Sequence, residues 1–300
     1  MYDIIIVGGG PAGMTAAIYG ASARKKVLIL EKDSMGGKIL KTNKIKNYPG
    51  FEEISGFDYS NNLFNQIKKL GVEVKFEEVL KINKDKSIIT NKSKYNAGAI
   101  IIATGSKNKT LNILNEDKFL GKGISYCATC DGMFFKGKNV AIVGGGNSSI
   151  SEALYLSNIV KNLYVIYRQK EFKFDSIDLE TLKKKDNVTF IFNSTVSKLN
   201  GNEFIESITV KNNEDNNESE ISVDGLFISI GFTPLSSLCE EILELSDNGY
   251  ILSNEECTTN IDGVFVAGDV RKKSVRQLTT ACSDGTIAAI KAFNYLNRKK

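Results

Sequence analysis

Twice in this 300-residue chain a short apolar run ends in a glycine-rich turn and then becomes helix-compatible. Tyr2-Asp-Ile-Ile-Ile-Val7 leads into Gly8-Gly-Gly-Pro-Ala-Gly13, and the small, apolar residues 14–23 follow. Asn139-Val-Ala-Ile-Val143 leads into Gly144-Gly-Gly-Asn-Ser-Ser149, and a helix is expected over 150–158. Nearly continuous apolar runs read as buried parallel strands, and small residues let a helix pack closely on a sheet. The repeat predicts an α/β fold with two Rossmann-like dinucleotide-binding domains.

The first turn has the spacing Gly8-x-Gly10-x-x-Gly13, with Pro11 and Ala12 between its last two glycines. Glycine permits the sharp turn, the close approach of a pyrophosphate, and tight helix–strand packing. Phosphates then sit at a helix N-terminus, where N–H groups and the helix dipole favour anions. Glu31 ends the next strand, Lys26–Leu30, where an acid can accept a ribose hydroxyl. The bland alternative, a glycine turn without ligand, has to explain strand, turn, helix and acid all in order. The second turn is weaker. Gly144, Gly146, Asn147 and Ser148 are candidate phosphate contacts, but Ser149 stands at the third glycine position. Arg168 replaces the acid at the end of strand Leu163–Tyr167, which favours a 2′-phosphate and hence NADP over NAD. Its alternative is a fold unit that binds nothing.

Further strands are expected at Ala99–Ile102, Thr189–Phe192, Leu226–Ile230 and from Val264, with a hairpin tip at 211–220 and a C-terminal helix at 283–297. The last strand–turn–helix has no sheet of its own. The second domain is therefore expected to be inserted into the first, with residues 1–111 and 239–300 forming one domain and 112–238 the other.

Just before the second turn lie Cys127-Ala-Thr-Cys130 and Asp131. Two cysteines three apart close a small disulfide or present two thiols, and an adjacent carboxyl can move the proton that dithiol chemistry requires. The same spacing is half of a zinc site. The chain has no histidine, however, and Cys239, Cys257 and Cys282 stand singly, so no metal site is expected. These three cysteines read as small apolar packing groups. The N-terminus runs directly into a strand with no basic leader, which points to the cytoplasm, where a purely structural bridge is disfavoured. Redox use of the pair is the favoured reading. Without histidine, acid–base steps fall to a carboxyl, thiol, lysine, tyrosine or water. Phe134-Phe135 reads equally as a docking surface or as core.

Composition excludes other classes. Net charge of +4 is mild, and Lys183-Lys184-Lys185-Asp186 reads as a solvated face, so no nucleic-acid partner is expected. No apolar run approaches the roughly 20 residues of a membrane span. A hydrophobic content of 42% supports two full cores.

Gly8–Gly13, Glu31, Gly36-Gly37, Asn47-Tyr-Pro-Gly-Phe51, Ala103-Thr104-Gly105, Cys127–Asp131, Gly144–Gly146, Gly231-Phe-Thr-Pro234, Gly263–Arg271 and Arg276-Gln277 occur in an order that resembles the low-molecular-weight thioredoxin reductases along nearly the whole chain. The resemblance implies a homodimer. It implies FAD on the first domain, held by Gly8–Gly13, Glu31, Gly37, Ala103–Gly105, Gly268 and Arg276, with Asp269 on the ribityl chain, Gln277 along the ring and Asn47 bordering the flavin. It implies NADPH on the second domain, thioredoxin as partner, and a domain rotation between two states. Cys130 is implied to face the flavin, Cys127 to attack thioredoxin, and Asp131 to protonate the departing thiolate. Electrons are expected to pass from NADPH through FAD to the Cys127/Cys130 pair.

The departures are specific. The family's His-Arg-Arg-x-x-Phe-Arg reads Tyr167-Arg168-Gln169-Lys170-Glu171-Phe172-Lys173. Lys173 keeps charge but not the bidentate fork. The preceding helix has Ser149 and Ser151 where the family has Ala and Glu, and Gln-Leu after Gly36-Gly37 is Lys38-Ile39. NADH or ferredoxin is the alternative donor. Competing functions are a reductase of another small disulfide protein and a non-catalytic flavoprotein.

Overall fold

The computed structural model describes residues 1–42 and 44–298. Positions 43, 299 and 300, which fall in the expected first domain, lie outside the described residues. The chain divides into two compact units, Met1–Lys107 with Thr233–Lys300, and Asn108–Phe232.

In the first unit, β1 (Tyr2–Val7) feeds α1 (Pro11–Ser22), followed by β2 (Val27–Glu31), α2 (Gly56–Lys69) and β3 (Glu73–Phe76). An antiparallel meander follows: β4 (Val79–Ile82), β5 (Ser87–Thr90) and β6 (Lys94–Ile102). α1 starts inside the glycine motif, three residues before the apolar pattern begins. Pro11 at the first helical position explains this, because its missing N–H has no intrahelical partner in any helix start. β6 likewise begins earlier than its apolar run, since Lys94, Tyr95 and Asn96 pair with β5.

The chain leaves through β7 (Ser106–Asn108). The second unit contains α3 (Glu116–Phe119), β8 (Ile124–Ser125), α4 (Ala128–Asp131), β9 (Asn139–Val143), α5 (Asn147–Ser157), β10 (Asn162–Ile166), α6 (Ile177–Lys183) and β11 (Val188–Ile191). Next come β12 (Ser194–Asn200), β13 (Ser207–Asn212), β14 (Glu218–Ser222) and β15 (Gly225–Ile228). Its parallel sheet runs β11-β10-β9-β15-β8, and β12-β13-β14 form a separate antiparallel sheet. The core strands are buried along both faces: Val140, Ala141, Ile142, Leu163, Val165 and Leu226 are fully inaccessible. That is the pattern of a sheet covered on both sides.

The chain returns through β16 (Phe232–Pro234) to β17 (Val264–Val266) and α7 (Leu278–Arg298). β17 pairs in parallel with β6, in register Val264 to Ile100, so the last segment completes the sheet that β1 began. The second domain is thus an insertion in the first. α7 packs on α1 through Gly285, where an added Cβ would lie 2.2 Å from the Ala12 carbonyl oxygen. α7 begins five residues before the expected start, because its first turns carry Thr279 and Thr280 rather than an apolar stripe. Both glycine turns end up at the carboxyl edges of their parallel strands, where such sheets bind ligands.

Candidate active site

In the second unit, Cys127 and Cys130 form a disulfide with Cα atoms 5.3 Å apart. Cys127 has extended backbone and caps α4, which places both sulfurs on one short turn. The Asp131 N–H donates to the Cys127 carbonyl at 3.1 Å. Buried Ser125 is the hub of this turn. Its hydroxyl donates to Asp131 Oδ2 at 2.6 Å and accepts the Cys127 N–H at 3.0 Å. Burial pushes the Asp131 carboxyl above the usual aspartate range, and the Ser125 hydrogen bond opposes that rise. The arrangement thus puts a carboxyl that holds its proton unusually well one residue from a redox-capable sulfur. The next two aromatics separate: Phe135 packs edge-on against Phe227 in the core, whereas Phe134 and Met133 are exposed.

In the first unit, Gly8 has φ +109 and faces the Ala103 carbonyl, leaving no room for a side chain. At Gly13 an added Cβ would fall 2.0 Å from the Gly8 carbonyl oxygen. A Cβ added at Gly10 would meet no atom within 4 Å, so that face is open. These are the three geometries a diphosphate turn needs: a sharp bend, an open approach, and tight packing. No side chain caps α1 and no acid lies in its first turn, so nothing in the helix competes with an anion there. Glu31 accepts the N–H of Gly9 at 2.7 Å and of Asp33 at 2.9 Å, which fixes its carboxylate beside the turn.

Two further loops reach the first turn of α1. Gly37 (φ +59) lies against Gly10, and Gly268 (φ +78) lies against Ala12. Asp269 follows Gly268; its Oδ1 is buried without a hydrogen-bond partner, while its Oδ2 takes Lys38 Nζ at 3.0 Å. Thr104 Oγ1 donates to the Leu235 carbonyl at 2.6 Å, and Gly105 turns with φ +74. Asn47 Nδ2 donates to Gln277 Oε1 at 3.3 Å, and the Arg276 guanidinium lies over Tyr250 with its Nε buried and unbonded. The fold therefore brings Gly8–Gly13, Glu31, Gly37, Asn47, Ala103–Gly105, Gly268, Asp269, Arg276 and Gln277 into one unit. The open Gly10 face and the orphaned Asp269 oxygen fit a hydroxyl-bearing dinucleotide such as FAD.

The second turn repeats the first with less in it. Gly144 has φ +148 and packs against the Ser229 carbonyl, and Gly146 is open. α5 has no side-chain cap and no acid in its first turn, which carries Asn147 and Ser148. Gly145, by contrast, is covered by the Tyr167 ring, which stacks on Phe172. Arg168 and Lys173 are exposed, and Lys170 is ion-paired to Glu214. The Arg168 carbonyl accepts Asn213 Nδ2 at 3.2 Å, so the hairpin tip anchors this segment.

Three residues carry more than their sequence signal. Ser125 has no motif signal beyond its place two before Cys127. Lys38 stands out in sequence only as a departure from the family. Glu152, beside the second turn, is a largely buried carboxyl raised above its usual range by burial, with a hydrogen bond to Ser229 opposing. The isolated cysteines also divide. Cys239 and Cys257 are core residues whose thiols burial pushes up to about 12 and about 11. Cys282 instead lines a cleft of about 590 Å³ with Tyr48 and Tyr59. Among the described residues no helix is long and apolar enough to cross a membrane.

The family described as pyridine nucleotide-disulphide oxidoreductase matches residues 2–285. The thioredoxin reductase of Mycoplasma genitalium is 44% identical over 97% of this chain and 94% of its own length. That of Bacillus subtilis is 38% identical over 99% and 95%. The crystal structure of the Streptococcus pyogenes thioredoxin reductase superposes with a TM-score of 0.95 at 35% identity, covering 99% of both chains. A flavin and a nicotinamide nucleotide are the general cofactors of this class, and its chemistry runs through a redox disulfide. The chain belongs to the pyridine nucleotide-disulphide oxidoreductases and, within them, to the low-molecular-weight thioredoxin reductases.

Proposed function

We propose that this chain reduces the disulfide of a thioredoxin with electrons drawn from NADPH through FAD. The observation that carries the reading is the Ser125–Cys127–Cys130–Asp131 turn: a closed disulfide with a proton-holding carboxyl bonded beside it. Gly8–Gly13, Glu31, Gly37, Ala103–Gly105, Gly268 and Asp269 would hold FAD, with Asn47, Arg276 and Gln277 toward its ring. Gly144, Gly146, Asn147, Ser148, Arg168 and Lys173 would hold the nicotinamide nucleotide.

Flavin, when bound, would supply the electron pair needed to open the Cys127–Cys130 bond. Cys130 would be the sulfur that takes up the flavin's electrons, and Cys127 would become the outgoing nucleophile. The Cys127 thiolate attacks one sulfur of the thioredoxin disulfide, forming a mixed disulfide and releasing the other sulfur as a thiolate. Asp131 delivers the proton to the departing thiolate, a role no histidine can take in this chain. The Cys130 thiolate then attacks Cys127, restoring the intramolecular bridge and freeing reduced thioredoxin. The balance is two electrons and two protons per disulfide.

A second reading, with NADH or ferredoxin as donor, is favoured by one observation. In segment 168–173 Gln169 is neutral and Lys170 is engaged by Glu214, leaving Arg168 and Lys173 for a 2′-phosphate. A homodimer in the cytoplasm completes the proposal. The test is steady-state and anaerobic: the flavin-loaded protein with thioredoxin and, in turn, NADPH, NADH or reduced ferredoxin. Thioredoxin-dependent oxidation of NADPH supports the donor assignment. Oxidised flavin persisting in excess NADPH, and bleached by reduced ferredoxin, refutes it. Thioredoxin left as disulfide with every donor refutes the reductase reading itself.

A further inference from the structure

In the second unit, the segment that leads into α3 is folded around a buried carboxylate. Glu116 Oε1 accepts the Leu111 N–H at 3.2 Å, and its Oε2 accepts the Asn112 N–H at 3.1 Å. Asn112 and Asn115 have positive φ values, +58 and +69, which curl the segment back on itself. The phenol of Tyr126 also donates to Glu116 Oε1. These donors are neutral groups, and their hydrogen bonds offset the cost of burying the carboxylate. The Tyr126 ring packs in the same apolar cluster as Leu111 and Phe119. Burial, the bond to Glu116, and the charges of Glu116 and Asp117 hold the phenol above the usual tyrosine range. Tyr126 therefore keeps its proton, and donates, at every pH at which thiols exchange.

Tyr126 immediately precedes Cys127, and the pairing of β8 with β15 ends one residue earlier, at Ser125. Cys127 is held by its N–H to Ser125 Oγ, by its carbonyl to the Asp131 N–H, and by the disulfide. The first two are bonds of segment 125–131 to itself, and opening the disulfide removes the third. The Tyr126–Glu116 bond persists through that opening, because it ties the entry of the turn to a residue ten positions earlier and involves neither sulfur. We propose, resting on the reductase reading of the cysteine pair, that Tyr126, held by Glu116, is a positioning residue that keeps the Cys127 sulfur on its line of attack once the disulfide has opened. Thiol–disulfide exchange needs the incoming sulfur in line with the S–S bond. A protein disulfide docked in one orientation cannot turn to meet a displaced nucleophile, so small misplacements cost rate. A small, freely tumbling electrophile carries no such constraint.

The test takes the flavin-loaded, full-length protein, reduced with dithionite, and mixes it with saturating oxidised thioredoxin or, separately, with iodoacetamide, reading alkylation of Cys127 by peptide mass. Tyr126→Phe keeps the ring in its apolar cluster and removes only the hydroxyl. It is expected to slow thioredoxin reduction about tenfold. Alkylation of Cys127 should be unchanged, as should the pH at which thioredoxin reduction falls. Glu116→Ala should slow the same step at least as much, and Tyr126→Phe added to it should cost nothing further. If Glu116→Ala does not fold, Tyr126→Phe alone decides. Thioredoxin reduction by Tyr126→Phe at the wild-type rate overturns the proposal. So does an equal loss in both reactions or a shift of that pH, either of which marks a general loosening of the turn. Wild-type protein that leaves thioredoxin oxidised overturns the reductase reading, and the role of Tyr126 with it.

Discussion

The two glycine turns are built alike and furnished differently. Both bend at a glycine with positive φ, both leave their middle glycine open, and both begin a helix with neither side-chain cap nor acid. Around the first converge Glu31, the Gly36–Lys38 loop, and the Gly268–Asp269 loop with its buried ion pairs. Around the second, Tyr167 covers Gly145 and the basic segment is anchored to a hairpin tip. A shared backbone gives both turns the same open approach at a helix N-terminus, so any difference in the nucleotide each takes must come from the surrounding loops.

The largest effects are expected at sulfur. Cys127→Ser or Cys130→Ser should lower thioredoxin reduction by about 10³-fold or more while leaving flavin binding intact, measured by turnover and by flavin absorbance. Asp131→Asn should slow the dithiol steps by about 10²-fold without changing thermal stability appreciably. Next come paired probes of the turns. Gly10→Ala and Gly146→Ala each add a methyl where no atom lies within 4 Å, so both should fold. The first should weaken FAD and the second the nicotinamide nucleotide, each by roughly 10- to 100-fold. Titrations in which both variants lose the same ligand would mean that the two turns do not hold different nucleotides. Gln169→Arg with Lys173→Arg should tighten NADPH by about tenfold and leave NADH unchanged, because a guanidinium binds phosphate through two bonds.

The smallest expected effect is a pH shift. As the proposed proton donor, Asp131 would act while protonated, so the dithiol rate should fall as pH rises through its pKa. Burial holds that pKa above the usual aspartate range. Ser125 donates to the carboxylate and so stabilises the charged form. Ser125→Ala should therefore move the fall to higher pH. Stopped-flow rates across pH check the sign; a downward shift would remove Ser125 from its positioning role.

Much of this was legible in residues. The strand–turn–helix repeat fixes the two sheets because buried parallel strands and close helix packing leave few alternatives, and the cysteine pair names its own chemistry. What stayed hidden depends on long-range contact. Polar Lys94–Asn96 extend β6 only because β5 lies alongside, and Thr279 and Thr280 begin α7 without an apolar stripe. Ser125 matters through a carboxyl six residues on, and Lys38 through Asp269, 231 positions away. No local pattern encodes such a pair. Phe134 and Phe135 are indistinguishable in sequence, yet only one packs on Phe227.

The most direct test is a single turnover without any nicotinamide donor. The flavin-loaded protein is reduced with dithionite under anaerobic conditions, freed of excess reductant, and mixed with oxidised thioredoxin; thiols are then trapped and counted. Thioredoxin is expected to gain two thiols as the flavin reoxidises, and Cys130→Ser to stop the reaction at a mixed disulfide through Cys127. Flavin reoxidation with thioredoxin still in its disulfide form, or full reduction by the Cys130→Ser variant, would contradict this.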